Sequence, residues 1–347
     1  MDYILSEYTN KNNKNAFNAT NKARNDTITI AVRAGYKHEP LYHSGVSKPK
    51  IIFELIFNSL RLSLKAGKGD RILIQYPYFP PIVNDVLFFI LNMGQKIRKY
   101  DIQIIIHDIL FMRNDDVFQK SMSYNANREF KKFSNASRII VHNKRMAKIF
   151  SLNTAIKNKL SVLGPFYYLY DKKVEKPEYS ESPQIIIAGN LDKNKTAYIY
   201  KLKELKKLKF NLYGVGFTDE GAENLKYFGK FLPEELIENL KGNFGLVWDG
   251  DSTDTCSGTF GNYLKYNNPH KLSLYLTAGI PVIVWSESAL APFVTKKNVG
   301  IAVDSLRELE KKLAELTPEK YAEMTENVSR IRTDLITGKR LEELLKG

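Results

Sequence analysis

The sequence is poor in the features that build disulfides, zinc sites and membrane spans. Cys256 is the single cysteine, which excludes an internal disulfide and a cysteine-rich zinc site and suits a reducing compartment. No apolar run reaches the ~18 residues that a spanning helix needs. The polar, asparagine-rich stretch 1–18 lacks the apolar core of a signal peptide. We therefore expect a cytoplasmic protein.

Acidic residues are also in short supply, with 38 Asp and Glu against 52 Lys and Arg and a net charge of +14. Such an excess attracts nucleic acid, anionic lipid head groups or diphosphates, although an ordinary basic surface has the same composition. Helix-turn-helix, RNP and zinc-finger signatures are missing, so nucleic acid is not an expected partner. The basic amphipathic stretch 198–209 is interpreted as a solvated outer helix. Contact with the inner surface of the cell membrane is the alternative.

The first half of the 347 residues alternates short apolar strands with helical patterns. Strands are predicted at 71–76, 102–106 and 138–142, and helices at 22–35, 51–64 and 83–91. This alternation is typical of βαβ units around a parallel sheet, and the chain length fits two domains.

The charged, proline-containing stretch 170–183 predicts an interdomain linker. The alternation then resumes, with strands at 184–188, 210–213, 244–248 and 281–285, and helices at 196–208, 236–240, 269–278 and 305–316. We expect domains at 1–169 and 184–330, and a C-terminal helix at 331–347 for which packing back on the N-terminal domain is one arrangement. Ligands of such sheets bind at the carboxyl ends of the strands, so a cleft between the domains is the expected site.

The segment 266–285 carries the clearest binding signal. Asn268 is a favourable N-cap and Pro269 suits the first helical position, which places Lys271 in the first turn of a helix that ends at Gly279. A lysine beside the positive end of a helix dipole is unfavourable by roughly 0.3–1 kcal/mol. Free backbone N–H groups in that turn attract anions. The placement favours a bound diphosphate, against the alternative of a lysine that simply reaches water.

A polar turn follows the predicted strand 184–188. Gly189 at its end would let a ligand approach the backbone of Asn190, and Lys193 would add positive charge. The three spaced glycines of the dinucleotide fingerprint are missing. An ordinary βα turn explains this segment as well as a binding loop does.

A second polar turn follows the strand 244–248 and contains Asp249, Asp251 and Asp254. The glutamate and glycine of a calcium loop do not follow, so a loop that hydrogen-bonds sugar hydroxyls is favoured over a metal site. The adjoining stretch 256–266 is rich in Gly, Ser, Asn and Tyr, which suits a mobile loop that closes over a sugar.

Asp108 comes directly after the predicted strand 102–106, with His107 beside it. A carboxylate at a strand end in the cleft is well placed to act as a general base. A loop or helix-capping aspartate is the competing interpretation.

Bacterial galactofuranosyltransferases of polysaccharide synthesis resemble this chain in residues 242–285, GNFGLVWDGDSTDTCSGTFGNYLKYNNPHKLSLYLTAGIPVIVW. Shorter similar pieces are NATNKARNDT at 18–27, ILIQYP at 72–77, IIHDI at 105–109 and IIAGNL at 186–191. The glucosyltransferases that extend GlcNAc on serine-rich adhesins are more distantly similar, through GLVW and a K-L-x-x-x-L-x-A-G-I-P-V-I-V block. The resemblance thus spans most of the chain.

The resemblance implies an α/β protein of the GT-B architecture, in which two Rossmann-like domains face a central cleft. The acceptor would lie mainly on the N-terminal domain and the UDP-sugar on the C-terminal one. Lys271 would contact the diphosphate, Tyr213 would lie near the base, and Lys193 stands where the adhesin enzymes have arginine. The loop 18–21 would face the donor, with Asn18, Ala19 and Thr20 where these enzymes often have a glycine.

The resulting hypothesis is an inverting transferase that uses neither metal nor cofactor, with the UDP-sugar as a substrate and Asp108 as the base. It would move galactofuranose to a glycan or lipid-linked glycan. Transfer of glucose to a glycoprotein adhesin and a non-catalytic partner subunit are the alternatives, and self-association stays open. The expected donor site comprises Thr20, Gly189, Asn190, Lys193, Tyr213, Asp249, Asp251, Asn268, His270 and Lys271.

Overall fold

The computed structural model describes residues 1–8, 19–43, 46–113 and 125–347. Six strands of the N-terminal half pair in parallel. They are β1 (Asp2–Tyr8), β2 (Tyr36–His43), β3 (Arg71–Tyr76), β4 (Asp101–Ile106), β5 (Arg138–Val141) and β6 (Leu160–Val162).

Helices cover both faces of this sheet. On one face, α2 and α3 bury Leu55 and Leu87 against Ile72 and the rest of a large apolar cluster. On the other face, α1 buries Ile30 against the sheet. The α-helices of this half are α1 (Ala19–Arg33), α2 (Lys48–Lys65), α3 (Ile82–Arg98), α4 (Asn125–Phe133) and α5 (Lys144–Phe150), and short 3₁₀ helices occupy Leu110–Arg113 and Lys157–Lys159.

The C-terminal half repeats the layered plan with six more parallel strands. These are β7 (Gln184–Asn190), β8 (Lys209–Val215), β9 (Leu225–Tyr227), β10 (Phe244–Val247), β11 (Val282–Trp285) and β12 (Gly300–Val303). The helices are α6 (Pro233–Asn239), α7 (Gly258–Tyr263), α8 (His270–Thr277), α9 (Ala291–Lys297), α10 (Leu309–Ala314), α11 (Pro318–Thr337) and α12 (Lys339–Lys346), with 3₁₀ helices at Ala197–Glu204 and Leu306–Glu308.

The two sheets differ in strand order. The first runs β2-β1-β3-β4-β5-β6, so the winding direction reverses between β1 and β3. The second runs β12-β11-β10-β7-β8-β9 and reverses between β7 and β10. Both are doubly wound α/β sheets, and the crevice at each reversal is where such sheets bind ligands.

The C-terminal helices connect the two halves. The helix α11 packs against α8, and its Val328 and Leu335 lie in the core of the C-terminal half. Gly338 then breaks the helix with φ of +69°, and Leu341 and Leu345 of α12 join the apolar cluster of the N-terminal half. The predicted boundary at 330/331 therefore falls inside a continuous helix, and the break lies at Gly338.

The strands expected from the sequence are confirmed to within two residues at each end. Strands β1, β2, β6, β9 and β12 were not predicted. The first lies in a stretch whose overall polarity hid four consecutive buried residues. The second contains Pro40 among polar residues, which an edge strand tolerates because one side of its ladder is unpaired.

Two local predictions are wrong. The expected α-helix at 196–208 is a 3₁₀ helix at Ala197–Glu204. The expected N-cap Asn268 lies one residue before the cap, which is Pro269, and α8 begins at His270.

In the described part of the chain, every helix is either too short or too polar to cross a bilayer.

Candidate active site

Lys271 lies at the winding reversal of the C-terminal sheet. Its ammonium donates to the carbonyl of Trp248 at 3.1 Å and to Asp249 Oδ1 at 2.9 Å, both directly after β10. The Lys271 and Asp249 side chains are 18% and 13% exposed. An ammonium has three donors, so two orient this one and the third remains for a ligand.

Gly189 closes the other side of this crevice at the end of β7. Its φ is +135°, and a Cβ built there would lie 3.5 Å from Lys271 Cε. A side chain at this position would therefore be strained and would fill the space beside the ammonium. Gly189 and Lys271, which the sequence predicted to lie in one donor site, are therefore adjacent in the structure.

The first turn of α8 completes the crevice. Pro269 is its N-cap, and no side chain caps the helix. Backbone N–H groups in the first turn of an uncapped helix can bind an anion, and the dipole favours negative charge there. Lys271 and the start of α8 are thus two sources of positive potential at one point.

Asn268 joins the two halves of the molecule. Its side-chain amide donates to the carbonyls of His142 at 3.0 Å and Gly164 at 2.7 Å, and its Oδ1 accepts from Asn143 at 2.8 Å. Its backbone N–H donates to His142 Nδ1 at 3.1 Å. These contacts use the side chain between the halves, so its contribution to the donor site is to position the start of α8.

Three histidines surround Phe166 where the halves meet. The rings of His107, His142 and His270 lie 5.7, 4.9 and 5.9 Å from the Phe166 ring. Burial lowers the pKa of His142 and of His270 to about 4, and lowers the pKa of His107 well below its usual value. All three rings are therefore neutral near pH 7, and His270 adds no positive charge to the crevice.

Asp108 follows β4 and is half-buried at the junction with the C-terminal half. Its Oδ1 accepts from the Ile109 N–H at 2.9 Å, and the same N–H donates to the Tyr263 hydroxyl of α7 at 3.0 Å. His107 Nε2 instead lies 3.0 Å from Gln75 Oε1. The backbone directly after Asp108 thus contacts the opposite half, through the Ile109 N–H and the Tyr263 hydroxyl.

The remaining predicted donor residues lie in different surroundings. Asn190 Oδ1 accepts from the Asp192 N–H at 2.9 Å, in a local turn. The Lys193 ammonium is 2.9 Å from Glu220, and the Lys193 side chain is 65% exposed. Tyr213 is buried, with its ring 5.0 Å from that of Phe228. The side chain of Thr20, in the first turn of α1, lies outside the described residues.

Hydrogen bonds hold the loop that follows β10. Trp248 Nε1 donates to the Ser252 carbonyl at 2.9 Å, and the Thr253 carbonyl accepts from the Leu306 N–H at 2.8 Å. A Cβ at Gly250 would lie 2.2 Å from the Ser257 carbonyl oxygen. The stretch 256–266, expected to be a mobile loop, contains α7. Its Tyr263 hydroxyl accepts from the Ile109 N–H at 3.0 Å, and its Leu264 carbonyl accepts from the Ala289 N–H at 2.8 Å.

The three aspartates of this loop have different hydrogen-bond partners. Asp249 binds Lys271, Asp251 accepts from the Ser257 hydroxyl, and Asp254 Oδ1 accepts from Arg307 Nε at 2.7 Å. Among the described residues, no cluster of three or more acidic, histidine or cysteine side chains could hold a metal ion. Metal independence of the reaction stays a prediction.

The sequence did not indicate a second crevice, at the winding reversal of the N-terminal sheet. A small cavity there is lined by Ser6, Glu7, Asn21, Arg24, Asn25, Ile28 and Gln75. Arg24 is buried and donates to the backbone carbonyl of Gln75 at 3.2 Å and to that of Pro77. Its position after the unpredicted strand β1 explains why spacing alone could not reveal it.

Two doubly wound sheets with a cleft between their carboxyl ends define the GT-B architecture of glycosyltransferases. A solved structure of Anabaena HepE, in complex with UDP and glucose, has the same fold. It superposes with a TM-score of 0.59 at 12% identity and covers 99% of this chain and 98% of its own.

The chain belongs to the Glucosyltransferase 3-like family, whose N-terminal domain matches residues 6–164 and whose C-terminal domain matches residues 185–347. It is 32% identical to beta-1,6-galactofuranosyltransferase WbbI of Escherichia coli (strain K12), over 94% of this chain and 92% of that one. It is 24% identical to Glucosyltransferase 3 of Streptococcus gordonii, over 88% and 86% of the two chains. The protein is therefore a hexosyltransferase of the GT-B class.

Proposed function

We propose that this enzyme transfers galactofuranose from UDP-galactofuranose to a glycan or lipid-linked glycan, with inversion and without a metal ion. The observation that carries the proposal is the Lys271 ammonium, held at the winding reversal by Trp248 and Asp249 beside the uncapped start of α8. A cation and a helix N-terminus at one point suit a diphosphate, which is the leaving group of a UDP-sugar.

The same arrangement supports catalysis as well as binding. Negative charge builds on the diphosphate as the bond to the sugar breaks. Lys271 can direct its third N–H to that charge while Asp249 and the Trp248 carbonyl fix its position. A preorganised donor needs little rearrangement in the transition state, so no metal ion is required for this role.

Asp108 supplies the base in this proposal. An inverting transfer has one chemical step, in which the acceptor hydroxyl attacks the anomeric carbon and loses its proton to a single base. Asp108 follows the carboxyl end of β4, and the next residue, Ile109, donates its backbone N–H to Tyr263 of the half that holds Lys271. Burial between the halves limits water, which would otherwise compete with the acceptor.

The choice of sugar rests on relatives. The relative with 32% identity is named for galactofuranose transfer and the one with 24% identity for glucose transfer. The described contacts around Lys271 concern the diphosphate, which both donors share. We therefore favour galactofuranose, the sugar named for the relative with the higher identity, and glucose is the second candidate.

A screen of UDP-sugars against thermal unfolding tests the donor. A ligand that binds only the native state stabilises it by about 2.7 kcal/mol at 100 times its Kd. We expect UDP and UDP-galactofuranose to raise Tm, and UDP-galactofuranose to be consumed when a glycan acceptor is added. Turnover of UDP-glucose alone would assign the enzyme to glucose transfer. Protection by UDP without turnover of either sugar would favour a non-catalytic partner subunit.

A further inference from the structure

The helix α2 carries two apolar stripes on opposite sides. One stripe, with Leu55 and Leu62, is buried against the sheet. The other recurs at helical spacing on the solvent side, where its members are 71%, 61%, 48% and 72% exposed: Phe53, Phe57, Leu60 and Leu64. A surface helix normally presents polar residues there, so this second stripe needs a partner.

The helix α3 repeats the pattern. Its buried stripe includes Val83 and Leu87. Its solvent side has four large apolar residues that are 49%, 69%, 48% and 77% exposed: Ile82, Phe89, Met93 and Ile97. Both helices lie on the same face of the sheet, so their outer stripes point the same way.

The two stripes form one surface because α2 and α3 are in close contact. A Cβ on Gly94 would lie 1.6 Å from Ser63 Oγ, so only glycine allows this approach. We call the outer stripes of the two helices together the α2–α3 surface. Contiguous apolar surfaces of this kind mark protein or membrane contacts in soluble chains.

Basic side chains lie at both ends of the α2–α3 surface. Lys48 and Lys50 begin α2, and the far ends of the two helices carry Lys68, Lys96, Arg98 and Lys99. Lys65, at the same end, is paired with Glu39 at 2.9 Å. The acidic residues of the two helices are already bound: Glu54 by His43, and Asp85 by Arg128 and Lys132. The charge that surrounds the apolar residues is thus positive, within a chain of net charge +14.

We propose that the α2–α3 surface docks on an anionic lipid bilayer. Apolar side chains would enter the head-group region while the flanking lysines and arginines contact lipid phosphates. A second copy of the chain fits less well, because a self-contact brings basic ends of like charge together. This inference goes beyond the proposed reaction and does not depend on which sugar is transferred.

The location of the surface adds a reason for docking. Phe79 is 50% exposed in the turn between β3 and α3, and Ile82 begins α3. Strand β3 pairs with β4, with Tyr76 opposite Ile106, two residues before Asp108. A bilayer on this surface would therefore lie beside the acceptor half of the cleft, where a membrane-linked acceptor could enter.

Flotation of the full chain with vesicles tests the proposal. The probes are vesicles of phosphatidylcholine with equal phosphatidylglycerol, and of phosphatidylcholine alone. We expect binding to the anionic vesicles, weakened by salt, and a loss of at least about tenfold in the Phe57→Gln/Phe89→Gln variant. The matched control is Leu152→Gln/Tyr227→Gln, which alters residues that are 60% and 43% exposed elsewhere. It should bind like the wild type.

Circular dichroism and consumption of donor sugar would show that both variants are folded. Failure of the wild type to bind anionic vesicles would overturn the proposal, and so would equal binding by the Phe57→Gln/Phe89→Gln variant. A wild-type oligomer that this variant converts to a monomer, without vesicle binding by either, would assign the surface to self-association instead.

Discussion

The N-terminal and C-terminal halves share one layered plan, but the basic residue at the winding reversal has different exposure and different partners in each half. In the C-terminal half, Lys271 is partly exposed at the reversal and has a donor to spare beside the start of α8. In the N-terminal half, Arg24 is buried at the reversal and directs its guanidinium to backbone carbonyls. Lys271 therefore has a donor available for a ligand, whereas Arg24 mainly donates to the protein's own backbone. The shared fold alone does not determine which half binds a diphosphate.

The outer surfaces differ in the same way. Ten of the large apolar residues exposed in the described part of the chain lie between Phe53 and Ile97 in the N-terminal half. The outer helices of the C-terminal half instead carry ion pairs such as Lys207 with Glu310 and Lys176 with Glu326. This comparison supports the proposals that the C-terminal half binds the diphosphate and that the N-terminal half provides the acceptor and surface contacts.

Replacing Asp108 gives the largest expected effect, because it tests whether the N-terminal half supplies chemistry. Asp108→Asn keeps an oxygen for the Ile109 N–H but removes basicity. A general base contributes about 10²–10⁴-fold, so kcat should fall by that factor while UDP affinity stays unchanged. Asp101→Asn, at the opposite end of β4, is the control and should be fully active. Retention of more than roughly a tenth of kcat would exclude Asp108 as the base.

Replacing Lys271 tests the C-terminal half. Lys271→Ala removes a charged donor and leaves Asp249 facing the diphosphate, so UDP affinity measured by calorimetry should fall by about 1.5–3 kcal/mol. Lys193→Ala is the matched control. Its side chain is 65% exposed and its ammonium is paired with Glu220, so the loss of UDP affinity there should stay within about 1 kcal/mol. Equal losses for both variants would contradict the site at the start of α8.

The contact between the halves should be sensitive to acid. The pKa of His142 is lowered to about 4 by burial, so its stabilising effect is complete above the unfolded pKa of 6.5 and declines as pH falls towards 4. Asp26 and Glu129 oppose this trend, because burial raises the pKa of these carboxyls to about 6 and about 7. A comparison with a variant cancels their contribution.

His142→Gln provides that comparison, since glutamine can still accept from the Asn268 N–H and donate to the Ile106 carbonyl. The difference in unfolding free energy between wild type and variant should shrink by about 2 kcal/mol between pH 7.5 and pH 5. Urea unfolding at the two pH values measures it. A difference that stays constant would mean that His142 is not the acid-sensitive group.

The sequence predicted the C-terminal half better than the N-terminal half. The apolar strands and the signals at Pro269, Lys271 and Gly279 are local, and they predicted the start of α8 with an error of one residue. The N-terminal half contains β1, in which apolar and polar residues are mixed, and β2, which contains Pro40. Local patterns cannot show that β1 is a central strand, because its burial depends on neighbours far along the chain.

For the same reason, the sequence could not predict which groups the candidate site residues contact. Asn268 has the composition of a helix cap, but its amide binds His142 and Gly164, more than 100 positions away. The Asp249–Lys271 pair joins a loop to a helix 22 positions later. Residue type and spacing identified these positions as polar and important, and only the folded chain could show what they bind.

The smallest expected effect is that of removing divalent metal ions. The carboxylates of Asp249, Asp251 and Asp254 have separate partners, and a metal ion would have to displace Lys271 to use the first of them. In the proposed mechanism, the Lys271 ammonium supplies the positive charge that a metal ion would otherwise bring to the leaving diphosphate. We therefore expect the same transfer rate with EDTA as with added Mg²⁺ or Mn²⁺, measured by consumption of the donor sugar. A strict requirement for either ion would contradict the role given to Lys271 and would indicate that the loop rearranges to bring two of these carboxylates together.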